Sequence, residues 1–325
     1  MKNLLLFTLL LLSIPLMVLL NLVMGSVSMG DELWETVVMN IRLPQTLTAM
    51  ACGAGLSVAG LQMQTVFHNP LAGPSVLGIS SAASLGVAFV VLLSGAIGGG
   101  AMLRFGLVGN AALTVSAIIG ALCVMALIMW LSHRVDGNVT LLIAGVLIGY
   151  IATAVIGVLK AFSSEEDIRA FVVWGLGSFS RVSGGQVGVF VGLMIALLPP
   201  SMLLSKPLNM LLMGDRYATN LGLNVRRARM AIIASAGILT AVVTAYCGPI
   251  MFIGLAVPHI ARGIFRVADH RVLLPATMLC GMSLALVCLY LSRLPYLDGS
   301  LPINSVTALI GSPIALYVLL KKKRQ

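Results

Sequence analysis

Charge is the scarcest property of this sequence. Asp, Glu, Lys and Arg together make up 9% of it, and 59% of its residues are hydrophobic. A soluble domain carries roughly a quarter charged residues. A water-soluble fold of 325 residues has too little interior to hide this much apolar surface, so the solvent around the chain must largely be lipid. Short alternating segments are also missing. A transmembrane barrel is built from strands of about ten residues that alternate apolar and polar. This chain has long unbroken apolar runs instead, which leaves helices as the way to satisfy the backbone in lipid.

Further absences narrow the function. The five cysteines, Cys52, Cys123, Cys247, Cys280 and Cys288, lie in apolar segments or at their ends, and no CxxC occurs. That argues for buried, reduced thiols and against a disulfide framework or a thiolate metal site. No Lys follows a Gly, so there is no GxxxxGK[ST] phosphate loop, and any coupling to ATP must come from another chain. The four histidines, His68, His133, His259 and His270, show no HExxH or similar ligand spacing and read as interfacial or capping groups. No acidic residue falls clearly inside an apolar stretch. Proton- and sodium-coupled carriers need such a group at depth, and an intramembrane enzyme needs paired polar groups there. Neither reading is favoured, and no catalytic residue, metal or cofactor is expected.

What is present is a series of ten apolar stretches, at about 3–24, 44–66, 75–98, 106–132, 138–160, 187–205, 228–247, 250–266, 272–293 and 303–320. Most reach the roughly 20 residues needed to cross a bilayer. The expectation is an all-α polytopic membrane protein of about ten transmembrane helices, forming a single transmembrane domain over 1–325. The first stretch exceeds the usual h-region of about 7–15 residues, so it reads as a span and not as a cleaved signal. The stretch at 250–266 is short and interrupted by Pro258 and His259, and is expected to be tilted or broken.

Lys and Arg set the orientation. With both termini inside, 14 of the 20 cations fall on the cytoplasmic side: Lys2, Arg134, Lys206, Arg216, Arg226, Arg227, Arg229, Arg262, Arg266, Arg271 and the run 321–324. Seven of the ten acids fall outside. The net charge of +10 is thus largely positive-inside bias, not a nucleic-acid patch. Two connections are long enough to hold structure. The outer one, about 161–186, carries Glu165, Glu166 and Asp167. The inner one, about 206–227, has apolar residues at 208, 211, 212, 218 and 221, the near-helical spacing of short amphipathic helices.

Within 138–160, Ala144, Gly145, Gly149 and Ala152 recur at three- or four-residue intervals and share one helical face. Small residues allow close helix approach in lipid. The face serves either packing within one subunit or a smooth translocation pathway along which a bulky solute can slide.

Several longer motifs run through the chain: Ala59-Gly60-Leu61-Gln62 with Asn69-Pro70-Leu71-Ala72-Gly73-Pro74-Ser75, Gly248-Pro249-Ile250 with Gly254-Leu255-Ala256-Val257-Pro258-His259, and Leu301-Pro302-Ile303 with Gly311-Ser312-Pro313. Together with Arg42-Leu43-Pro44, Trp174-Gly175-Leu176-Gly177-Ser178 and Gly214-Asp215…Leu221-Gly222, they resemble the FecCD family of ABC-importer permeases from about residue 40 to the C-terminus. That family serves iron–siderophore, haem and vitamin B12 uptake. The resemblance implies a homodimer in the inner membrane, two cytosolic ATP-binding subunits below it, and a periplasmic or lipoprotein substrate-binding protein above. It places the ATPase-coupling surface at Leu211, Leu212, Gly214, Asp215, Ala218, Leu221 and Gly222. It places salt bridges to the binding protein at Arg42 and Arg293. The substrate implied is an iron chelate, siderophore or haem, with vitamin B12 as the alternative. Four positions depart from the family pattern: Gln45 for a second basic residue, His68 for Arg, Leu289 for the Asp four residues before Arg293, and Ser300 for an acid.

Overall fold

A computed structural model describes residues 2–24, 31–96, 106–132, 134–135, 137–182, 184–293 and 300–322. Arg104, His133, Asp136, Asp298, Lys323 and Arg324, which entered the charge and histidine arguments, lie outside the described residues. The described secondary structure is helical throughout. The helices are α1 (Lys2–Val23), α2 (Trp34–Val66), α3 (Ile79–Ala96), α4 (Gly106–Ser132), α5 (Asn138–Ala161), α6 (Glu165–Gly175), α7 (Gly185–Leu203), α8 (Ser205–Leu212), α9 (Asp215–Asn220), α10 (Val225–Cys247), α11 (Ile253–Phe265), α12 (His270–Ser292) and α13 (Ile303–Lys322). Seven are long and apolar enough to cross a bilayer, and α3, α11 and α13 carry three shorter apolar segments. These ten correspond to the ten apolar stretches of the sequence. The chain is an all-α, polytopic membrane protein.

Burial divides the helices sharply. In α2, 89% of the apolar window is buried, against 11% in α1 and 22% in α4 and α5. The central helix is therefore α2, packed along α12, α10, α11 and α7. It begins with a wide π turn, Val38–Arg42, just before Pro44. Proline removes an N–H and collides with the carbonyl four residues back, and a widened turn accommodates both. The contacts of α2 are backbone contacts. A Cβ on Gly53 would strike the carbonyl of Gly281 on α12, and one on Gly60 would strike the carbonyl of Gly254 on α11. Without a side chain at these crossings, dispersion contacts run along the full helix pair, which is how helices associate when lipid offers no hydrophobic drive.

The α11 segment is broken at a different place from the one the sequence indicated. Helix α11 passes straight through Pro258, and the break comes before it, where Gly248 (φ +77°) and Phe252 (φ +67°) both take the left-handed region. At 13 residues the helix rises only about 20 Å, short of a full crossing. The 206–227 connection forms α8 and α9. Of the cysteines, Cys52, Cys247, Cys280 and Cys288 are buried, whereas Cys123 is exposed on α4; its apolar neighbours face outward, as lipid allows.

Candidate functional site

Hydrogen bonds sort the helix termini into two ends. At one end lie α8 and α9, the end of α2, and the starts of α10 and α12. At the other lie the start of α2, the ends of α1 and α12, and the segment 176–182.

At the first end, α8 buries Leu208 and Leu211, and α9 buries Ala218, while Leu212, Met213, Tyr217 and Leu221 are exposed. Gly214 (φ +102°) and Gly222 (φ +83°) make the turns that flank α9. A non-glycine residue adopts such angles only at a cost of about 1 kcal/mol. Nothing lies within 4 Å of a Cβ added at either position. The seven residues assigned to coupling therefore divide: Leu211 and Ala218 anchor the short helices, and Leu212 and Leu221 face outward beside the two glycines. Asp215 pairs with Arg229 of α10 at 2.7 Å.

Other side chains tie this end together. His68 Nε2 lies 2.8 Å from the Leu211 carbonyl, and His259 Nε2 2.7 Å from the Pro70 carbonyl. Arg262 donates to Gln64 Oε1 at 2.6 Å, and Gln64 Nε2 donates to the Leu255 carbonyl at 3.1 Å. Asn209 of α8 reaches Asp269 and His270 at the start of α12. Asp269 caps α12. Hydrogen bonds from the Arg271 backbone and from Asn209 hold its carboxyl below the usual carboxylate range. Asn209, His270, Thr65, Gln64 and Arg262 were missed as a group by the sequence reading. Their signal is spatial, since the residues come from four separate helices.

At the opposite end, Arg42 is 5% exposed and donates through Nη1 to the carbonyls of Leu22 and Val23 at 2.8 and 3.0 Å, closing the end of α1. Arg293 follows α12 directly. Both of its terminal nitrogens are buried with no hydrogen-bond partner among the described residues, which stop at Arg293 and resume at Ser300. Burial, with Arg42 adding a second cation, pulls its pKa well below the usual arginine range, to about 10. It lines a cavity of about 220 Å³ with Ser178, Ser180, Ser292 and Ser300. Leu289 also lines this cavity, at the place where the family pattern has an acid, so no carboxylate one turn back meets the guanidinium. Gln45, where the pattern has a cation, donates instead to Ser180 Oγ at 2.6 Å.

The small-residue face of α5 meets its own subunit. A Cβ on Gly145 would sit 2.8 Å from Leu77 Cα, and one on Gly149 3.5 Å from Gly78 Cα and Ser81 Oγ. Ala152 is buried and Ala144 half-buried. Between this face and the 74–81 segment runs a slot of about 230 Å³, lined by Ser75, Gly78, Ser81, Gly145, Gly149 and Thr153 among others. Among the described residues, no group of three His, Cys, Asp or Glu side chains is placed to hold a metal ion.

Comparison with known proteins adds to this geometry. A family model described as the FecCD transport family matches residues 4–321. The vitamin B12 import system permease BtuC of Shigella boydii is 37% identical over 319 residues, covering 95% of this chain and 93% of that one. The hemin transport system permease HmuU of Yersinia pestis is 35% identical, covering 97% of each. A solved structure described as an inward-facing conformation of a metal-chelate type ABC transporter superposes with a TM-score of 0.85 at 29% identity, over 96% of this chain and 97% of that one.

Proposed function

The chain belongs to the FecCD transport family and is an ABC-importer permease subunit; from that premise we propose that it carries an iron chelate, siderophore or haem, across the inner membrane. Its relatives are named for haemin and for vitamin B12, and the solved neighbour for metal chelates, so a bulky metal-centred solute is common to all three. Vitamin B12 is the second reading, favoured by the BtuC likeness at 37% identity. ATP hydrolysis belongs to two separate cytosolic subunits, and a substrate-binding protein delivers the cargo to a homodimer of this chain. Both termini lie in the cytoplasm, which makes the α8–α9 end the cytoplasmic one.

The observation that carries the assembly is the contrast at Arg293. An arginine buried without an acceptor is costly in an isolated chain, since a buried charge is stable only when paired. A carboxylate on a docking protein supplies the missing acceptors. We assign Arg293 to that contact, with Arg42 behind it adding positive potential, while α8 and α9 take up the thrust of the ATPase through Leu212, Gly214, Leu221 and Gly222. The pathway borders α5 through the slot beside Gly145 and Gly149, with Ala144 and Ala152 on the same face.

The test is uptake into proteoliposomes that hold this permease with its co-purified ATP-binding subunit and binding protein. ⁵⁵Fe-haemin, a ferric hydroxamate and cyanocobalamin are offered in parallel. ATP-dependent uptake of either iron compound supports the reading. Uptake of cyanocobalamin alone would replace it with the second, and no ATP-dependent uptake of any would remove it.

A further inference from the structure

The polar chain at the α8–α9 end has a feature that docking of an ATPase does not by itself require. Asn209, in α8, points its Oδ1 at the first residue of α12. That oxygen accepts from the His270 backbone N–H at 2.8 Å and lies 2.8 Å from His270 Nδ1, while Asn209 Nδ2 donates to Asp269 Oδ1 at 2.6 Å. A backbone N–H can only donate, which fixes the orientation of the amide. The oxygen can only accept, so Nδ1 carries the hydrogen of the ring. In the neutral ring Nε2 is then an acceptor. Thr65 Oγ1, near the end of α2, stands 2.9 Å from it and 2.9 Å from the Leu61 carbonyl; its one hydrogen can serve either, and the contact with an unprotonated Nε2 requires that it turn to the ring. His270 and Thr65 are 1% and 2% exposed.

Three side chains thus connect α8 to α12 and α12 to α2, each donor and acceptor role following from the one before. A buried chain of this kind defines geometry, because any displacement leaves low-dielectric polar atoms unpaired. What it attaches to is itself rigid. The Gly53–Gly281 crossing brings α2 and α12 into backbone contact, so the two helices cannot slide apart without opening the core. Of the further links from this loop, His68 Nε2 meets the Leu211 carbonyl just beyond the end of α2, and Asp215–Arg229, to α10, is half open to solvent on its acidic side, where exposed ion pairs hold little.

We propose that Asn209, His270 and Thr65 form the joint through which the α8–α9 loop moves the α2–α12 pair as one body. They are positioning residues for transport and touch neither nucleotide nor cargo. The proposal rests on the importer reading, in which the ATPase subunits act on that loop. Its prediction is specific: breaking the joint leaves hydrolysis running while the far end of α12 stops responding.

The experiment places a spin label at Leu301→Cys in a Cys123→Ser background. Leu301 is 41% exposed, and its backbone N–H is bonded to the Ser292 carbonyl at 2.9 Å, so a label there reports on the end of α12. In the co-purified complex, the distance between the two labels of the homodimer is measured without nucleotide and with ADP-vanadate. The unmodified joint should show a nucleotide-dependent change. Thr65→Val and His270→Asn each cut the link to α2, and each should abolish that change with ATPase activity retained. The double variant should be no worse than either single one, because both remove the same connection. Thr65→Ser, which keeps the hydroxyl, should restore the response. Asn209→Ala cuts the chain from the half-buried loop side and gives the same measurement if a core variant fails to assemble. A full nucleotide-dependent change in Asn209→Ala, or in Thr65→Val and His270→Asn, overturns the joint. No change in the parent complex, or no ATP-binding subunit on purification, overturns the importer reading instead.

Discussion

At the α8–α9 end, Asn209, His270, Thr65, Gln64 and Arg262 satisfy one another inside a single chain, and the short helices are bound to α2, α10 and α12. At the Arg293 end, a guanidinium holds both terminal nitrogens buried and without an acceptor among the described residues. Gln45 Oε1 and Trp174 Nε1, at the same end, are also buried and have no partner among those residues. Both ends hold buried unpartnered atoms, Asp215 Oδ1 and Arg229 Nε among them at the first, but among the described residues a guanidinium with neither terminal nitrogen served is found at the Arg293 end. The densely bonded end is suited to transmitting force, which needs rigidity; the end with the unserved guanidinium is suited to a contact that must form and dissolve.

That difference can be broken from either side. The largest effect is expected for Gly214→Trp. No atom lies within 4 Å of the added Cβ, so the ring projects outward into whatever docks there. The expected outcome is near-complete loss of uptake per ATP hydrolysed with the homodimer intact, checked by uptake, ATPase activity and size-exclusion chromatography on one preparation. Retained coupling would mean that partners do not press on this turn.

Next comes Arg293→Glu, which reverses the open cation. Affinity for the binding protein should fall about tenfold at low salt, equivalent to about 1.4 kcal/mol, and by less at high salt, because the lost attraction is screened. Titration of the binding protein at two ionic strengths measures both. Arg42→Glu should weaken docking less, since its guanidinium already serves Leu22 and Val23. Unchanged affinity in both would favour snorkelling to lipid over docking.

A smaller effect of opposite sign is expected for Arg293→Gln in the permease alone. A cation whose pKa is pulled down to about 10 by folding destabilises the fold at every pH below that value, and relief comes only as pH rises through it. Removing the charge should therefore raise the Tm of the isolated permease by a few degrees, about 1 kcal/mol, while docking is lost. A fall in Tm would show that the nitrogens are already served within the chain. The smallest effect concerns the middle of the bundle. Gly149→Cys fits at ordinary contact distance, and its thiol should label at different rates in nucleotide-free and nucleotide-bound complexes. Equal rates would make the α5 face simple packing.

The fold was largely legible because lipid imposes a length and a composition on each crossing, and the ten apolar stretches mark seven helices that meet that condition and three shorter ones. The interruption before α11 was harder. Gly248-Pro249 carries the signal, but Pro258 in mid-segment is more conspicuous, and a helix buried against Gly60 tolerates it. The α6 helix could have been anticipated from Ser164 and Asp167, a capping pair whose hydroxyl-to-carboxylate distance is 2.6 Å. The polar chain from Asn209 to Thr65 could not. Its members are 60 positions apart or more, apart from the adjacent Asp269 and His270, and only the packing of α8 and α2 on α12 brings them together. The departures from the family pattern were visible as letters, but their meaning was not. Leu289 became informative only when the arginine one turn later was found buried and unaccompanied.

Helix α5 meets its neighbour as one plain bearing meets another. Along Gly145 and Gly149 the helix itself offers no side chains, and the backbone of Leu77 and Gly78 with the Leu77 and Ser81 side chains lies against it, with a narrow gap beside them. Interlocked helices must unseat their side chains before they shift, and that sets a barrier; a glycine seam has none of this friction. On the proposed pathway, a face with so little interlocking lets the helix shift with little repacking of the core behind it.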